Sequence, residues 1–242
     1  MIFNITTASY SDAVNKNWRN MMSSLIDIFN DKYEHIGVED KKIAHEKGLW
    51  HRVFTCVILN SQKSTVYLQR KKNNRYSFKR PDYLDISVGG HYKAGETIED
   101  GIRELFEETG LNKNDVNYNQ LISIGIRQTA ATVSPNYIAN EFQHIYLFDY
   151  QGNPENLVKE NNETRGFVEL KIDDTIDILT YKSNSISGRY YFFDEGKINS
   201  EFCNIRITDF IPSYLMTDQF MLRLIIAAKR YIIQTDRTLL FW

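Results

Sequence analysis

The chain has 242 residues, 29 Lys+Arg against 31 Asp+Glu, two cysteines and four prolines, which excludes a disordered tail, a collagen and a disulfide scaffold. Hydrophobic residues make up 42% and aromatics 13%, enough apolar surface for a full-sized core in at most two structural units. A formal charge of −2 argues against binding nucleic acid or an acidic membrane by bulk electrostatics.

Met1 to Thr7 lack the basic region, apolar region and cleavage site of a secretory signal, and the run Ile225-Ile226-Ala227-Ala228 is stopped by Lys229-Arg230, far short of the roughly 20 residues of a membrane helix. A cytoplasmic protein without a membrane partner is expected. Trp18, Met21, Met22, Leu25 and Phe29 recur at helical spacing, predicting an amphipathic helix over 11–29. The pattern then turns to β: Val53 to Leu59, a turn at Asn60-Ser61-Gln62-Lys63, and Thr65 to Leu68 read as a hairpin. Cys56 lies inside that run and Cys203 stands alone; neither has ligand spacing, and both are expected to be reduced packing residues. Further strands are predicted at 84–88, 121–126 and 142–148, and an amphipathic helix near 217–233. No repeat or long Gly/Ser linker divides the chain, so the expected fold class is α+β.

Thr97-Ile98-Glu99-Asp100 has the form of a capping box with Asp in place of the usual Glu, and Gly110 stands where a helix would stop. The spacing predicts a helix over 98–109. Ile98, Ile102, Leu105, Phe106 and Thr109 fall on its sheet-facing side. Glu104 and Glu108 lie one turn apart on another face, with Glu107 adjacent to both. Like charges so spaced repel, and a cation is expected among them.

The run Arg103-Glu104-Leu105-Phe106-Glu107-Glu108-Thr109-Gly110-Leu111 matches every specified position of the R-E-U-x-E-E-x-G-U half of the Nudix box, U being a bulky apolar residue. Ahead of it, Gly89-Gly90-His91-Tyr92-Lys93-Ala94-Gly95-Glu96 is similar to the glycine-rich loop and Glu of the same signature. The resemblance to the Nudix superfamily implies an α/β/α sandwich with a mixed β-sheet. It divides the chain into an N-terminal helical extension (1–27), a Nudix core (28–150) and a C-terminal α/β extension (151–242) packed on the core. Oxygen ligands from one helix suit Mg²⁺ or Mn²⁺, which neutralises a diphosphate and acidifies an attacking water. The pattern departs at one point: six residues separate Glu96 from Arg103 where the family has seven. The shortening is expected to be absorbed in the loop or first turn, where Gly101 allows close approach.

Outside the box, Ala44 to Phe54, Leu68-Gln69-Arg70 and Ser87 to His91 resemble the isopentenyl diphosphate isomerase-like branch. In the isomerases, the histidines matching His45, His51 and His91, with a Glu matching Glu141, bind a divalent metal. Here they are either a second metal site or hydrogen-bonded structural residues. The isomerase cysteine is replaced by Gly89 and a second isomerase Glu by Ala139; glycine offers neither proton nor base for allylic isomerisation.

The resemblance therefore implies divalent-metal-dependent hydrolysis of a diphosphate linkage, expected in a nucleoside diphosphate derivative. Glu104 and Glu108 are the expected metal ligands, with a Gly90 backbone carbonyl and with Glu141, Glu163 or Glu169 from a facing strand, Glu141 first among them. Glu107 is either a further ligand or part of the base, and Arg103 orients a carboxylate. Arg70 and Lys71 either bind phosphate or form a solvated turn. The rival functions are an isomerase-type enzyme and a non-catalytic nucleotide-binding sensor. The expected partner is a small diphosphate and no nucleic acid, and the C-terminal part is placed to shape a homodimer.

Overall fold

The computed structural model describes residues 24–72, 82–161, 164–216 and 218–234. The helix expected over 11–29 is overturned where it is described: Leu25–Phe29 form a strand, β1, paired antiparallel with β2 (His35–Asp40). The rest of that segment lies outside the described residues. Leu25 and Phe29 are four apart, a spacing that keeps one face on a helix and on a strand alike, so the pairing partner decides between them.

Asp40 caps the next element, α1 (Lys41–Lys47), by accepting from the backbone N–H of Lys42 and Ile43, and Gly48 ends it at φ 63°, a left-handed conformation that glycine adopts without strain. The expected hairpin follows as β3 (Trp50–Asn60) and β4 (Thr65–Lys71). The strand expected over 84–88 is divided into β5 (Leu84–Asp85) and β6 (Val88–His91). A long hairpin, β7 (Leu121–Ser134) with β8 (Tyr137–Asp149), comes next, then β9 (Thr164–Lys171), β10 (Ile186–Asp194) and β11 (Lys197–Ile205).

These strands form one sheet with the path β11-β10-β9-β4-β3-β1-β2, to which β5, β6, β7 and β8 attach beside β4 and β3. β3 and β8 run parallel and the other pairs antiparallel, so the sheet is mixed. It continues past residue 150, because β9 pairs with β4 over its whole length.

Alternation along the central strands separates two apolar layers. Phe54, Cys56, Ile58, Tyr67, Tyr146 and Phe148 pack with Leu105 of α2 (Arg103–Glu108). Val57, Leu59, Val66, Leu68, Ile145 and Leu147 pack on the other face beneath α3 (Ile172–Leu179) and α5 (Phe220–Ile233). A short α4 (Pro212–Met216) precedes α5. Helices thus cover both faces, the α/β/α arrangement expected. Cys56 is a buried free thiol and Cys203 a half-buried one.

The helix expected over 98–109 is shorter and divided. A 3₁₀ turn over Glu99–Ile102 leads into α2 at Arg103–Glu108. Thr97 and Asp100 cap it reciprocally: Thr97 N–H donates to Asp100 Oδ2 (2.7 Å) and Asp100 N–H to Thr97 Oγ1 (3.4 Å). A 3₁₀ turn rotates about 120° per residue against about 100° in an α-helix. Over the four residues of this turn that adds about 80°, nearly the rotation one missing residue removes. The shortened spacing between Glu96 and Arg103 is taken up here. Gly101 lets the turn pack closely on Tyr92, since a Cβ would stand 2.5 Å from that ring.

Candidate functional site

A cavity of about 640 Å³ opens between β3, β4, β6, α2 and the β7–β8 hairpin. β4 pairs with β3 only over Ile58–Asn60, and β6 takes its place beside Val53–Cys56. The strands part at this point, leaving room for the acidic helix to reach the glycine loop.

Glu104 and Glu108 are buried and line the cavity, whereas Glu107 is half-exposed at its edge. Glu108 accepts from Gln69 Nε2 (3.0 Å), the Gly89 N–H (3.3 Å) and Lys71 Nζ (3.4 Å). Arg103 lies among the other acids: Nε and Nη2 donate to the two oxygens of Glu96 (2.7 and 3.1 Å), Nη2 also meets Glu104 Oε1 (2.8 Å), and Nη1 meets Glu107 Oε2 (2.8 Å). The same guanidinium donates to the His91 carbonyl, tying the helix to β6. Glu96 is thereby brought to the site through Arg103, and its carboxylate also accepts from the Lys93 N–H at 2.8 Å.

Burial pushes the Glu104 carboxyl up to about 7; Arg103 opposes this, while Glu108 and Glu107 add to it. Glu107 behaves oppositely: burial raises its pKa, but the hydrogen bond and charge of Arg103, with Lys93, outweigh that and hold it below the ordinary carboxylate range. The cations of the protein therefore compensate one acid of the helix and leave another short of positive charge. Gly90 adds a cradle, since a Cβ there would overlap the Glu104 carboxyl group. A divalent cation fits this donor set of hard oxygens, the Glu104 carboxyl above all, whose pKa stays raised despite Arg103 beside it.

A second cluster shares the cavity. His45 from α1, His51 from β3, His91 from β6 and Glu141 from β8 offer ligand atoms that all lie within 4.8 Å of one another. Strand register builds it: His51 faces Glu141 across the parallel β3–β8 pair, and His91 faces Val53, two residues along β3. His45 Nδ1 and His51 Nδ1 each meet a backbone carbonyl, of Ile138 (3.1 Å) and Leu49 (2.8 Å). Both rings thus present Nε2 to the centre. His45 Nε2 lies 2.9 Å from His91 Nε2, and His51 Nε2 is buried without a hydrogen-bond partner, 3.9 Å from Glu141 Oε1. Burial pushes His51 down to about 4, against the Leu49 carbonyl, and lowers His45 and His91 as well, with the neighbouring histidines contributing. Neutral imidazoles around an orphaned nitrogen fit a divalent ion that accepts nitrogen ligands.

The other residues singled out from the sequence divide. Lys71 lines the cavity, but Arg70 does not; its guanidinium lies over the Tyr190 ring and beside Asp82. Glu169 accepts from Thr65, Tyr67 and Tyr191 outside the cavity, and Glu163 lies outside the described residues. Gly89 carries no side chain, and a Cβ there would stand 2.7 Å from Ile86 Cδ1, the free end of a side chain that would have to shift. Sequence reasoning passed over Arg127, Gln143 and Asp218. Gln143 was within reach of it, since it is two residues from Glu141 on a strand and shares its face; nothing local marks the other two.

A model of the NUDIX domain matches residues 49–186, more than half of the chain. The chain belongs to the Nudix family. An uncharacterized Nudix hydrolase of Clostridium acetobutylicum is 34% identical over 199 residues, covering 79% of this chain and 92% of the relative. An isopentenyl-diphosphate Delta-isomerase of Serratia proteamaculans is 30% identical over 126 residues, covering 52% of this chain and 65% of that enzyme. A solved structure from Deinococcus radiodurans superposes with a TM-score of 0.46 at 22% identity, over 65% of this chain and 89% of the other. The Nudix chain is accordingly a pyrophosphohydrolase acting on small-molecule diphosphates. None of the described helices is long and apolar enough to cross a membrane.

Proposed function

We propose that this Nudix pyrophosphohydrolase is a divalent-metal-dependent enzyme that cleaves the diphosphate linkage of a nucleoside diphosphate derivative. The observation that carries this reading is the burial of Glu104 and Glu108 in one cavity, with Glu104 seated on Gly90. Glu104, Glu108 and the backbone carbonyl of Gly90 would hold Mg²⁺ or Mn²⁺, and His45, His51, His91 and Glu141 would hold a second ion with a taste for imidazole, such as Zn²⁺ or Co²⁺. When bound, such ions neutralise the phosphates and lower the pKa of water.

The chain's own residues do the rest. Arg103 fixes the carboxylates of Glu96, Glu104 and Glu107 relative to one another. Glu107, half-exposed and held from one side by Arg103 and Lys93, is the carboxylate left to meet the attacking water. Lys71, buried beside Glu108, adds positive charge where a phosphate would lie.

The histidine cluster and the isomerase relative favour an isomerase as the second reading. Gly89, which offers neither an acid nor a base at the position of the isomerase cysteine, weighs against it. Purified protein incubated with Mg²⁺ and a panel of dinucleotides, nucleotide sugars and isopentenyl diphosphate, read by ³¹P NMR, separates the possibilities. Two phosphate esters from one diphosphate are expected. Formation of dimethylallyl diphosphate would overturn the hydrolase reading, and no turnover across the panel would favour a nucleotide-binding sensor.

A further inference from the structure

A chain of side chains runs from the start of the C-terminal helix α5 to the histidine cluster. Asp218 accepts from Arg127 with both oxygens, from Nε at 2.8 Å and Nη2 at 2.9 Å. The remaining arm of the guanidinium, Nη1, donates to Gln143 Oε1 at 2.9 Å, and Gln143 Nε2 donates to Glu141 Oε2 at 2.7 Å. Arg127 and Gln143 are direct partners across the β7–β8 pair. Phe220, the first residue of α5, lies under the guanidinium at 4.1 Å.

We propose that Asp218, Arg127 and Gln143 are positioning residues that set the orientation of Glu141 in the cluster. This rests on the reading that the cluster holds an ion. An arginine has donors only, so Arg127 fixes which end of the Gln143 amide faces it: the oxygen turns to Arg127 and the nitrogen must turn to Glu141. Glu141 Oε2 is thereby anchored, and Oε1 is the oxygen on the His51 side. Asp218 has the complementary task. Arg127 is 6% exposed, and a buried guanidinium without its counter-charge is costly; the two-pronged contact with Asp218 both neutralises it and aims Nη1 at Gln143. The part of the chain furthest in sequence from the acidic helix thus bears directly on the geometry of the site.

The test is a Co²⁺ titration of the metal-free full chain in excess Mg²⁺, followed by the visible absorption of Co²⁺ and compared with melting curves and steady-state kinetics. The wild type is expected to show one tight site with nitrogen ligation. Gln143→Leu should weaken Co²⁺ by about 10- to 100-fold and alter the band, the usual cost of losing a group that orients a ligand. Asp218→Asn should act in the same direction by about tenfold, with the affinity and spectrum recovered in Asp218→Glu. Folded variants that bind Co²⁺ with wild-type affinity and spectrum would overturn the positioning role alone. A raised KM with the Co²⁺ site unchanged would also overturn it, showing that the arginine acts on substrate. A wild type with no Co²⁺ band would overturn the histidine-cluster reading itself, and this proposal with it.

Discussion

The acidic helix and the histidine cluster face the same cavity, yet they are assembled in opposite ways. Glu104, Glu107 and Glu108 come from one short helix, and their relation to one another is set by helical periodicity alone. His45, His51, His91 and Glu141 come from four elements spread over nearly a hundred residues, brought together by the β3–β6 and β3–β8 registers and by the contact of α1 with β8 through His45 and the Ile138 carbonyl. The chemistry differs in parallel. The helix offers carboxylate oxygens paired with Arg103, Lys93 and Lys71, and the cluster offers neutral nitrogens with Nδ1 of two rings tied to backbone carbonyls. A local motif gives proximity for little entropy, whereas a cluster built across a sheet inherits the sheet's rigidity.

This contrast can be broken experimentally. The largest effect is expected from Glu108→Gln, which keeps the side-chain shape and removes a charge from the acidic helix. Diphosphate hydrolysis should fall by about 10³-fold, on the scale of losing a group that stabilises developing charge, with the Co²⁺ band of the histidine cluster unchanged. Loss of that band in the same variant would mean that the two sites are one. Reciprocally, His51→Gln should lower Co²⁺ affinity by about 100-fold or more, measured by competition with a chelator, while Mn²⁺ binding to the carboxylates persists.

Gly90→Ala sharpens the comparison at the seam. The new Cβ would overlap the Glu104 carboxyl, which is the free end of a flexible side chain, so the fold can yield while the carboxylate moves. A kcat loss of about tenfold or more with a nearly unchanged Tm is the expected pattern; a collapse of Tm with kcat preserved would contradict it.

The smallest effect concerns His144, which lies outside both groups and meets the Tyr33 hydroxyl at 2.7 Å. Burial, and secondarily Arg52, push it down to about 4. The unfolded chain takes up a proton on this residue near pH 6.5, and the folded protein resists until about 4. Stability that is complete above 6.5 is therefore lost as pH falls from 6.5 toward 4. Replacing it in His144→Gln should flatten that part of a Tm-against-pH curve, and an identical curve would refute the assignment.

Much of this was legible in the chain. The acidic helix, its cap and its glycine loop lie within some twenty consecutive residues, so spacing alone carried them. The hairpin from Val53 and the strands after it showed the alternation of a sheet with apolar layers on both faces. Leu25 and Phe29 misled because a spacing of four suits either period, and β2 settled the matter. The division of the helix before Arg103 was hidden because a 3₁₀ turn and an α-turn draw on the same residues. Arg70 and Lys71 are neighbours in sequence, and strand alternation sends them to opposite sides, one to Tyr190 and one to the cavity.

By itself the sequence carried the family, the grouping of three carboxylates on one helix and the layered α+β architecture, because each depends on residues close enough in the chain for local geometry to relate them. Tertiary structure alone decided that a six-residue spacing is made good by a tighter turn, that Glu141 rather than Glu169 lines the cavity, and that Asp218 bears on Glu141 through Arg127 and Gln143. Those relations depend on strand register and on the packing of α5 over the sheet. No local pattern records them, since distant residues meet only after loops have closed and apolar faces have been buried.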